Sequence, residues 1–542
     1  MQSKGTSRWM RQRGGVGMAA GIILSVLVLA GIIAWLLLRP EHRPHREAGS
    51  ILPADAVMVF SIQPGKLINK AGLPDLLRDN IDLLGGAGMM IDPNQIASFA
   101  DITRLGIRDD KPVLLFMQPG DMGFVMGLVF PLINRDAFEK GIQENLPGEL
   151  GDQIIKQMTE EQGLRGIFRG REPIAFGYDD NSLLILVEEN SRGDDLGPRV
   201  HKLFAQENGL AEARPAFRKF MEKGDDLGLW MDLDAAGELI PSEFAALFSS
   251  TPYFPKGEQT ISWRFEPGEL LMEQVVIGGD ALPLRPVDPS LLDVIPANAV
   301  LTAVGGIDLA EVDKQVSSLL KDSSRLADIL PEDIPLEKVQ EFIENLTGGD
   351  ELDLNEQLTG DLALALTDFE LKEALFIKVP LPRLYLAGAF KTREGADMEA
   401  LTRQFKIGET VGLEAFAGDD RIYLASPKFR ESLEESGAVP EPVTGSARNQ
   451  LTTPSAAMAL NFPRLARVLE KFPEAAPAIP LLDRMGTFTA TVHTQSDASR
   501  FTFRLTMQDR KTNVLRQVIE LIMNPASPDP IEEDADGNSL PD

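Results

Sequence analysis

Repetition constrains this chain more than any other feature. Leu52-Pro-Ala-Asp-Ala-Val57 recurs as Ile295-Pro-Ala-Asn-Ala-Val300, each followed by a short apolar stretch and a helical pattern, Lys66–Leu77 and Leu309–Leu320. Val113–Phe116 with Phe124–Phe130 has a counterpart in Leu362–Leu366 with Leu384–Phe390, Gly127 matching Gly388, and each block leads into a helix-like run starting near Asp136 or Asp397. Ala175-Phe176 ahead of Asp179-Asp180 matches Ala415-Phe416 ahead of Asp419-Asp420. Leu227–Asp232 matches Ala457–Asn461, and each half closes on a hairpin pattern, Ile261–Phe265 with Leu270–Ile277 and Thr487–His493 with Phe501–Met507. Several matches in one order along a chain are the signature of duplication. The halves run 51–280 and 297–524, and the Pro-rich join 281–296 separates them.

Within each half the strands come in adjacent pairs. Alternation is strict at Phe488, Ala490 and Val492, and again at Phe501, Phe503, Leu505 and Met507. A period of two with one apolar face predicts a half-buried antiparallel sheet. Helical patterns alternate with strand pairs rather than with single strands, so the class is α+β, two similar halves of antiparallel sheet covered by helices on one side. An amphipathic run, Asn513–Met523, predicts a closing helix before Pro525.

A different signal precedes the repeats. Val16 to Leu38 carries no charge, and a helix needs about 20 apolar residues to span the hydrocarbon core. Arg11 and Arg13 lie before it, Arg39 after it, and Trp9 and Trp35 near its ends, where indoles favour the interface. The run is too long for a signal-peptide core, and its end, Ala34-Trp35 followed by three leucines, is a poor cleavage site. It predicts an uncleaved N-terminal transmembrane helix over 16–38, a cytoplasmic N-tail over 1–15 and a polar linker over 39–50, with the body outside the cytoplasm, in the periplasm or an equivalent space. Gly17, Gly21 and Ser25 are spaced by four and form a small-residue stripe suited to helix-mediated homodimerisation within the bilayer.

Charge follows the same division. The chain has 53 Lys and Arg against 82 Asp and Glu. Residues 1–50 hold seven of the bases and two of the acids, so the rest carries 46 bases against 80 acids. Such a body repels nucleic acid, which requires phosphate neutralisation by Lys and Arg. The acid reads first as solubility and suppressed self-association. There is no Cys, which excludes disulfides, zinc-thiolate sites, Cys nucleophiles and lipidation at Cys.

The opening LPADAVMVFSIQPGKLINKAGL, the LTGDLALAL strand at 358–366 and the closing hairpin followed by TNVLRQVIELI resemble a bacterial envelope protein family of unknown function built from two similar α+β halves. Its members are typically lipid-anchored through an N-terminal Cys. This chain has none and carries the apolar run instead. The resemblance implies no catalytic residues.

The side chains that carry chemistry read mostly as structure. His201 falls in a helical pattern beside Val200, Leu203 and Phe204, and His493 shares the polar face of its strand with Thr487, Thr489 and Thr491. No Gly-x-Ser-x-Gly elbow or P-loop accompanies them. Ser318-Leu-Leu-Lys321 matches Ser-x-x-Lys without that motif's companions, and His42 and His45 belong to the linker. Asp179-Asp180 and Asp419-Asp420 sit between apolar runs, where Asp favours turns. In the tail, 525–542, read as disordered and acidic, Asp534, Asp536, Asn538 and Asp542 resemble a degenerate thrombospondin type-3 calcium loop, the one candidate metal site. No other cofactor is implied. The expected function is that of a non-enzymatic, single-pass envelope protein with a binding or scaffolding body. A carboxylate- or divalent-cation-dependent hydrolase and a subunit of a membrane complex are the alternatives.

Overall fold

The computed structural model describes residues 48–79, 102–120, 124–145, 155–169, 173–188, 193–239, 256–278, 282–312, 314, 354–374, 377–405, 412–495 and 497–523. The predicted membrane helix at 16–38, with Gly17, Gly21 and Ser25, lies outside them. Among the described residues, no helix is long and apolar enough to cross a membrane.

Among the described residues, nineteen strands form one antiparallel sheet. The first half supplies β1 (Met58–Ile62), β2 (Val113–Pro119), β3 (Phe124–Pro131), β4 (Thr159–Glu161), β5 (Leu164–Ile167), β6 (Ile174–Tyr178), β7 (Ser182–Glu188), β8 (Leu227–Asp232), β9 (Glu258–Glu266) and β10 (Glu269–Ile277). The second supplies β11 (Leu284–Arg285), β12 (Leu301–Ile307), β13 (Leu358–Ala374), β14 (Ile377–Thr392), β15 (Glu414–Ala417), β16 (Arg421–Ala425), β17 (Ala456–Asn461), β18 (Met485–Thr494) and β19 (Ala498–Met507).

The pairings order the first half β6-β7-β3-β2-β1-β8-β9-β10. They order the second half β15-β16-β14-β13-β12-β17-β18-β19, the same sequence of elements. The halves meet where β10 pairs antiparallel with β19, from Glu269↔Thr506 to Ile277↔Ala498. A strand that pairs antiparallel with its own counterpart gives a two-fold-like seam.

Local hydrogen bonds repeat with the topology. Ala56 N donates to Pro53 O at 3.0 Å, and Ala299 N to Pro296 O at 3.1 Å. Asp232 N donates to Val57 O at 2.9 Å, and Asn461 N to Val300 O at 2.8 Å. Both side chains then cap a helix: Asp232 Oδ1 accepts from Ala235 N and Asn461 Oδ1 from Arg464 N. An oxygen-bearing cap satisfies a donor that the first turn leaves open.

The register corrects two of the sequence matches. Phe116 lies beside Val59 and Gly127 beside Phe116, whereas the counterpart chain of neighbours is Thr302, Ala365 and Ala387. Gly127 therefore corresponds to Ala387, not to Gly388, and the two glycines face opposite sides. Likewise Asp179 N donates to Ser182 O and Gly418 N to Arg421 O, so Asp179 corresponds to Gly418 and Asp180 to Asp419. A slip of one residue in a strand reverses the face of every side chain.

One face of the sheet is buried in both halves. In the first, Val59, Leu114, Phe116, Val129, Leu186 and Trp230 pack under Leu196, Val200, Phe217 and Phe220 of the helices Gly193–Ala205 and Pro215–Lys223. In the second, the strands offer alanines, at 363, 365, 387, 389, 425 and 457. Small side chains admit a closer cover, supplied by Leu291, Leu292, Val294 and Ile295 together with Phe429 and Leu433. The Pro-rich join thus enters the second core through its 3-10 turn Pro289–Val294.

Helices also cover the outer strands on the opposite face, where the sequence pattern predicted cover on one side only. Phe138 and Ile142 of helix Arg135–Asn145 pack on Leu128, Phe130 and Ile185. Leu401 of helix Met398–Gln404 packs on Ile422. Strands β3, β6 and β7 are apolar on both faces, a run pattern that does not report which side a helix takes.

Gly127 gives a direct test of the register. A Cβ at this position would lie 2.0 Å from Phe116 Cζ. Gly127→Ala is expected to destabilise the fold by about 1–3 kcal/mol, the cost of overpacking a core, read as a lower denaturant midpoint at unchanged slope.

Candidate functional site: a methionine row and a charged clamp

Where helices do not cover it, the second face is apolar and half-buried. Alternation places Phe60, Leu229, Ile261 and Trp263 there in the first half, then Phe265, Leu270 and Met272, and Phe488, Phe501 and Phe503 beyond the seam. Phe60 and Trp263 meet edge-on at 6.5 Å, and Phe488 and Phe503 stack at 6.4 Å. Both are arrangements that aromatic quadrupoles favour.

One cross-strand row on this face is made of methionine. Met231 neighbours Met58, Met58 neighbours Met117, and Met117 neighbours Met126. The corresponding row of the second half is Leu460, Leu301, Leu366 and Leu386. Position by position, one half uses thioethers where the other uses branched aliphatics. Met126 is 46% exposed, and Met458 of β17, on the same face, 39%. Methionine is unbranched and polarisable, and adapts to irregular apolar partners. Strict alternation marks these positions as facing one side. Their meeting depends on pairings between residues far apart in the chain, which sequence periodicity does not carry.

On the buried face of the second half, a polar cluster holds the join in place. Arg285 donates to both oxygens of the buried Asp361, at 2.8 and 2.6 Å, and Thr359 Oγ1 donates to Asp361 Oδ2 at 2.8 Å. A bidentate Arg–carboxylate pair fixes orientation as well as distance. Beside it Lys391 donates to Asp288 and lies 3.8 Å from Asp420, which accepts from Arg421 Nε at 2.7 Å. The Lys391 hydrogen bond holds the Asp288 carboxyl down to about 2. The Arg421 hydrogen bond lowers that of Asp420.

A cavity of about 540 Å³ lies where the β4–β5 hairpin meets helix Gly193–Ala205. Glu161, Gln162, Phe168, Arg169, His201 and Lys202 line it. The imidazole of His201 packs on Phe168 with ring centroids 4.3 Å apart, and its Nε2 is 3.8 Å from Glu161 Oε2. A Cβ on Gly197 would lie 2.1 Å from Phe168 O, so the helix reaches this close to β5 through glycine.

The other sequence candidates separate. His201 is a boundary residue of its helix, with its side chain 12% exposed. His493 lies on β18 across from Arg500, far in sequence from His201 and on a different part of the sheet. Asp179 is buried in the β6–β7 turn, where its Oδ1 accepts from Asn181 N at 2.8 Å and Ser182 N at 2.9 Å, and Asp420 serves the cluster around Lys391. Ser318, Lys321, His42, His45 and the tail residues Asp534, Asp536, Asn538 and Asp542 lie outside the described residues. Among the described residues, no group of three or more His, Asp or Glu could hold a metal ion.

No protein-family model matches the chain, and no curated protein matches it. Among solved structures it is similar to TP0453. Crystal form IV aligns with a TM-score of 0.25 and 12% identity over 43% of this chain and 81% of that one. Form III gives 0.25 and 11% over 44% and 82%. Likeness at this level carries no argument about fold or function.

Two outcomes are expected here. Asp179→Ala removes two hydrogen bonds to a charged acceptor and should lower stability by about 1–3 kcal/mol, with no change in heat on titration with Ca²⁺. Asp288 has a folded pKa of about 2, below its ordinary 3.8. Its stabilising contribution is therefore present above about pH 4 and lost as pH falls towards 2. Asp288→Asn should flatten that part of the stability–pH curve, as followed by urea unfolding between pH 5 and 2.

Proposed function

We propose that this chain is a single-pass envelope protein, anchored by residues 16–38, whose body binds a protein partner of the same membrane through its second sheet face. The observation that carries the reading is the methionine row Met231–Met58–Met117–Met126, set in an apolar field that continues across the seam. Exposed apolar patches of this kind mark interaction surfaces, and thioethers suit a partner of irregular shape. An acidic body suits a space outside the cytoplasm, where it stays soluble and apart from nucleic acid. The shared strand order of the halves supports duplication, and so supports the likeness to the two-halved envelope family. The linker over 39–50 is short enough to hold the body within reach of other membrane-bound chains.

The test is affinity purification of the full chain from solubilised membranes, with Met126→Glu and Met458→Glu beside the native protein. Both positions are exposed enough to accept the charge without loss of fold. A co-purifying partner that is lost with Met126→Glu, at unchanged melting temperature, is the expected result. Recovery of the same partner in equal amount with both variants contradicts the reading. Orientation is tested separately, by protease digestion of intact and opened cells. The body should be cut only where the outer face of the membrane is reached.

A further inference from the structure

Among the described residues, the cavity beside His201 joins basic side chains to a ring surface, and we propose that it binds a small ligand carrying an oxyanion, a carboxylate or a phosphate, on a planar apolar body. Beyond residue 50 the chain holds 46 bases against 80 acids. Around this cavity the balance is reversed. Arg169 and Lys202 line it with one acid, Glu161, which pairs with Arg169 at 3.4 Å and lies 3.8 Å from His201 Nε2, so that Lys202 and the outer N–H groups of Arg169 are left towards the cavity. A local excess of cationic donors in an acid-rich surface focuses anions at that place. Guanidinium and ammonium donors give the charge-assisted hydrogen bonds that carboxylates and phosphates accept.

The floor of the cavity supplies the other half of the specificity. Phe168 and His201 lie with ring planes 34° apart and centroids at 4.3 Å. Phe168 is itself buried, so the platform is the imidazole carried on it, flanked by the exposed Pro198 and Ala205. Against such a platform a flat ligand buries its faces while its anionic end reaches Arg169 and Lys202.

Two further observations point to the same place. Gln162, at the tip of the β4–β5 hairpin, has φ of 53° beside Gly163 at 75°. Positive φ at both central residues defines the tight hairpin turn that Asn-Gly or Gly-Gly fills at least cost. Here a long amide stands at the strained position and lines the cavity. Strain of this kind is retained where the side chain has a use. The hairpin itself, Thr159–Ile167, has no counterpart among the described residues of the second half, where helix Met398–Gln404 is followed closely by β15. The cavity is thus an addition to one half and not a by-product of the shared fold.

The experiment uses the full chain in detergent micelles, titrated calorimetrically with inorganic phosphate, phenyl phosphate and benzoate. Arg169→Glu, Lys202→Glu and Lys202→Arg are run beside the native protein. Arg169 is 78% exposed, so the exchange is not expected to disturb folding, and melting temperature checks this. The expected result is saturable binding of phenyl phosphate or benzoate that exceeds binding of inorganic phosphate. Affinity should fall about tenfold or more with either Glu variant, the loss of one charge-assisted hydrogen bond, and be retained with Lys202→Arg. Stronger binding of phenyl phosphate assigns a phosphate ligand, and stronger binding of benzoate a carboxylate. Absence of saturable heat with all three probes, or affinity indifferent to both Glu variants, overturns the proposal.

Discussion

The seam between β10 and β19 is the interaction on which the rest of this architecture depends. Each half ends in a hairpin whose last strand would otherwise leave a row of backbone donors and acceptors open, an edge that invites aggregation. Pairing the two last strands removes both edges at once. It also sets the faces. Glu269, Leu271 and Glu273 continue into Thr506, Arg504 and Thr502, and Leu270 and Met272 continue into Leu505 and Phe503. Register at the seam therefore makes one apolar field out of two half-sheets. A slip of one residue would set Phe503 against Leu271 or Glu273, positions of the other face, and break the field in the middle.

On this common strand order the two halves differ in how they fill it. The first half packs its buried face with Phe116 and Trp230 beneath helices. The second uses alanine and lets the join and its 3-10 turn lie close, clamped by Arg285 on Asp361. The opposite face diverges in chemistry instead of volume, with a row of methionine in one half and of leucine in the other. The β4–β5 hairpin and its cavity are a third difference, again on the first half. Shared topology supplies the frame, and the specialised features gather on the half nearer the N-terminus.

Much of the frame was legible in the chain. Alternation at Phe488–Val492 and Phe501–Met507 marked β18 and β19, and Asp232 and Asn461 stood at matched positions because both end a strand and cap a helix. Proline and alanine in the repeated opening marked a turn that recurs bond for bond. The failures have one physical source. Local patterns report period and turn chemistry, and both tolerate a shift of one. Gly127 and Gly388 each make room for a bulky cross-strand neighbour, Phe116 and Leu364, but on opposite faces. Asp180 and Asp419 occupy one turn position, while Asp179 and Asp420 sit on either side of it. The methionine row joins residues 58, 117, 126 and 231, which meet only through tertiary pairing. Helices over the second face were missed because strands apolar on both sides do not say where the cover comes from.

The absence of cysteine makes the central claim open to a clean measurement. Met272 and Phe503 are register partners on the second face at the seam, and Thr502 neighbours Phe503 but faces the other side. Met272→Cys with Phe503→Cys should form an intramolecular disulfide under mild oxidation, detected as a mass loss of about two hydrogens in the monomer, because directly opposed strand positions lie within reach of the bond. Met272→Cys with Thr502→Cys should not. Failure of the first pair to close within one chain, or equal closure of both pairs, would contradict a single sheet joined through β10 and β19.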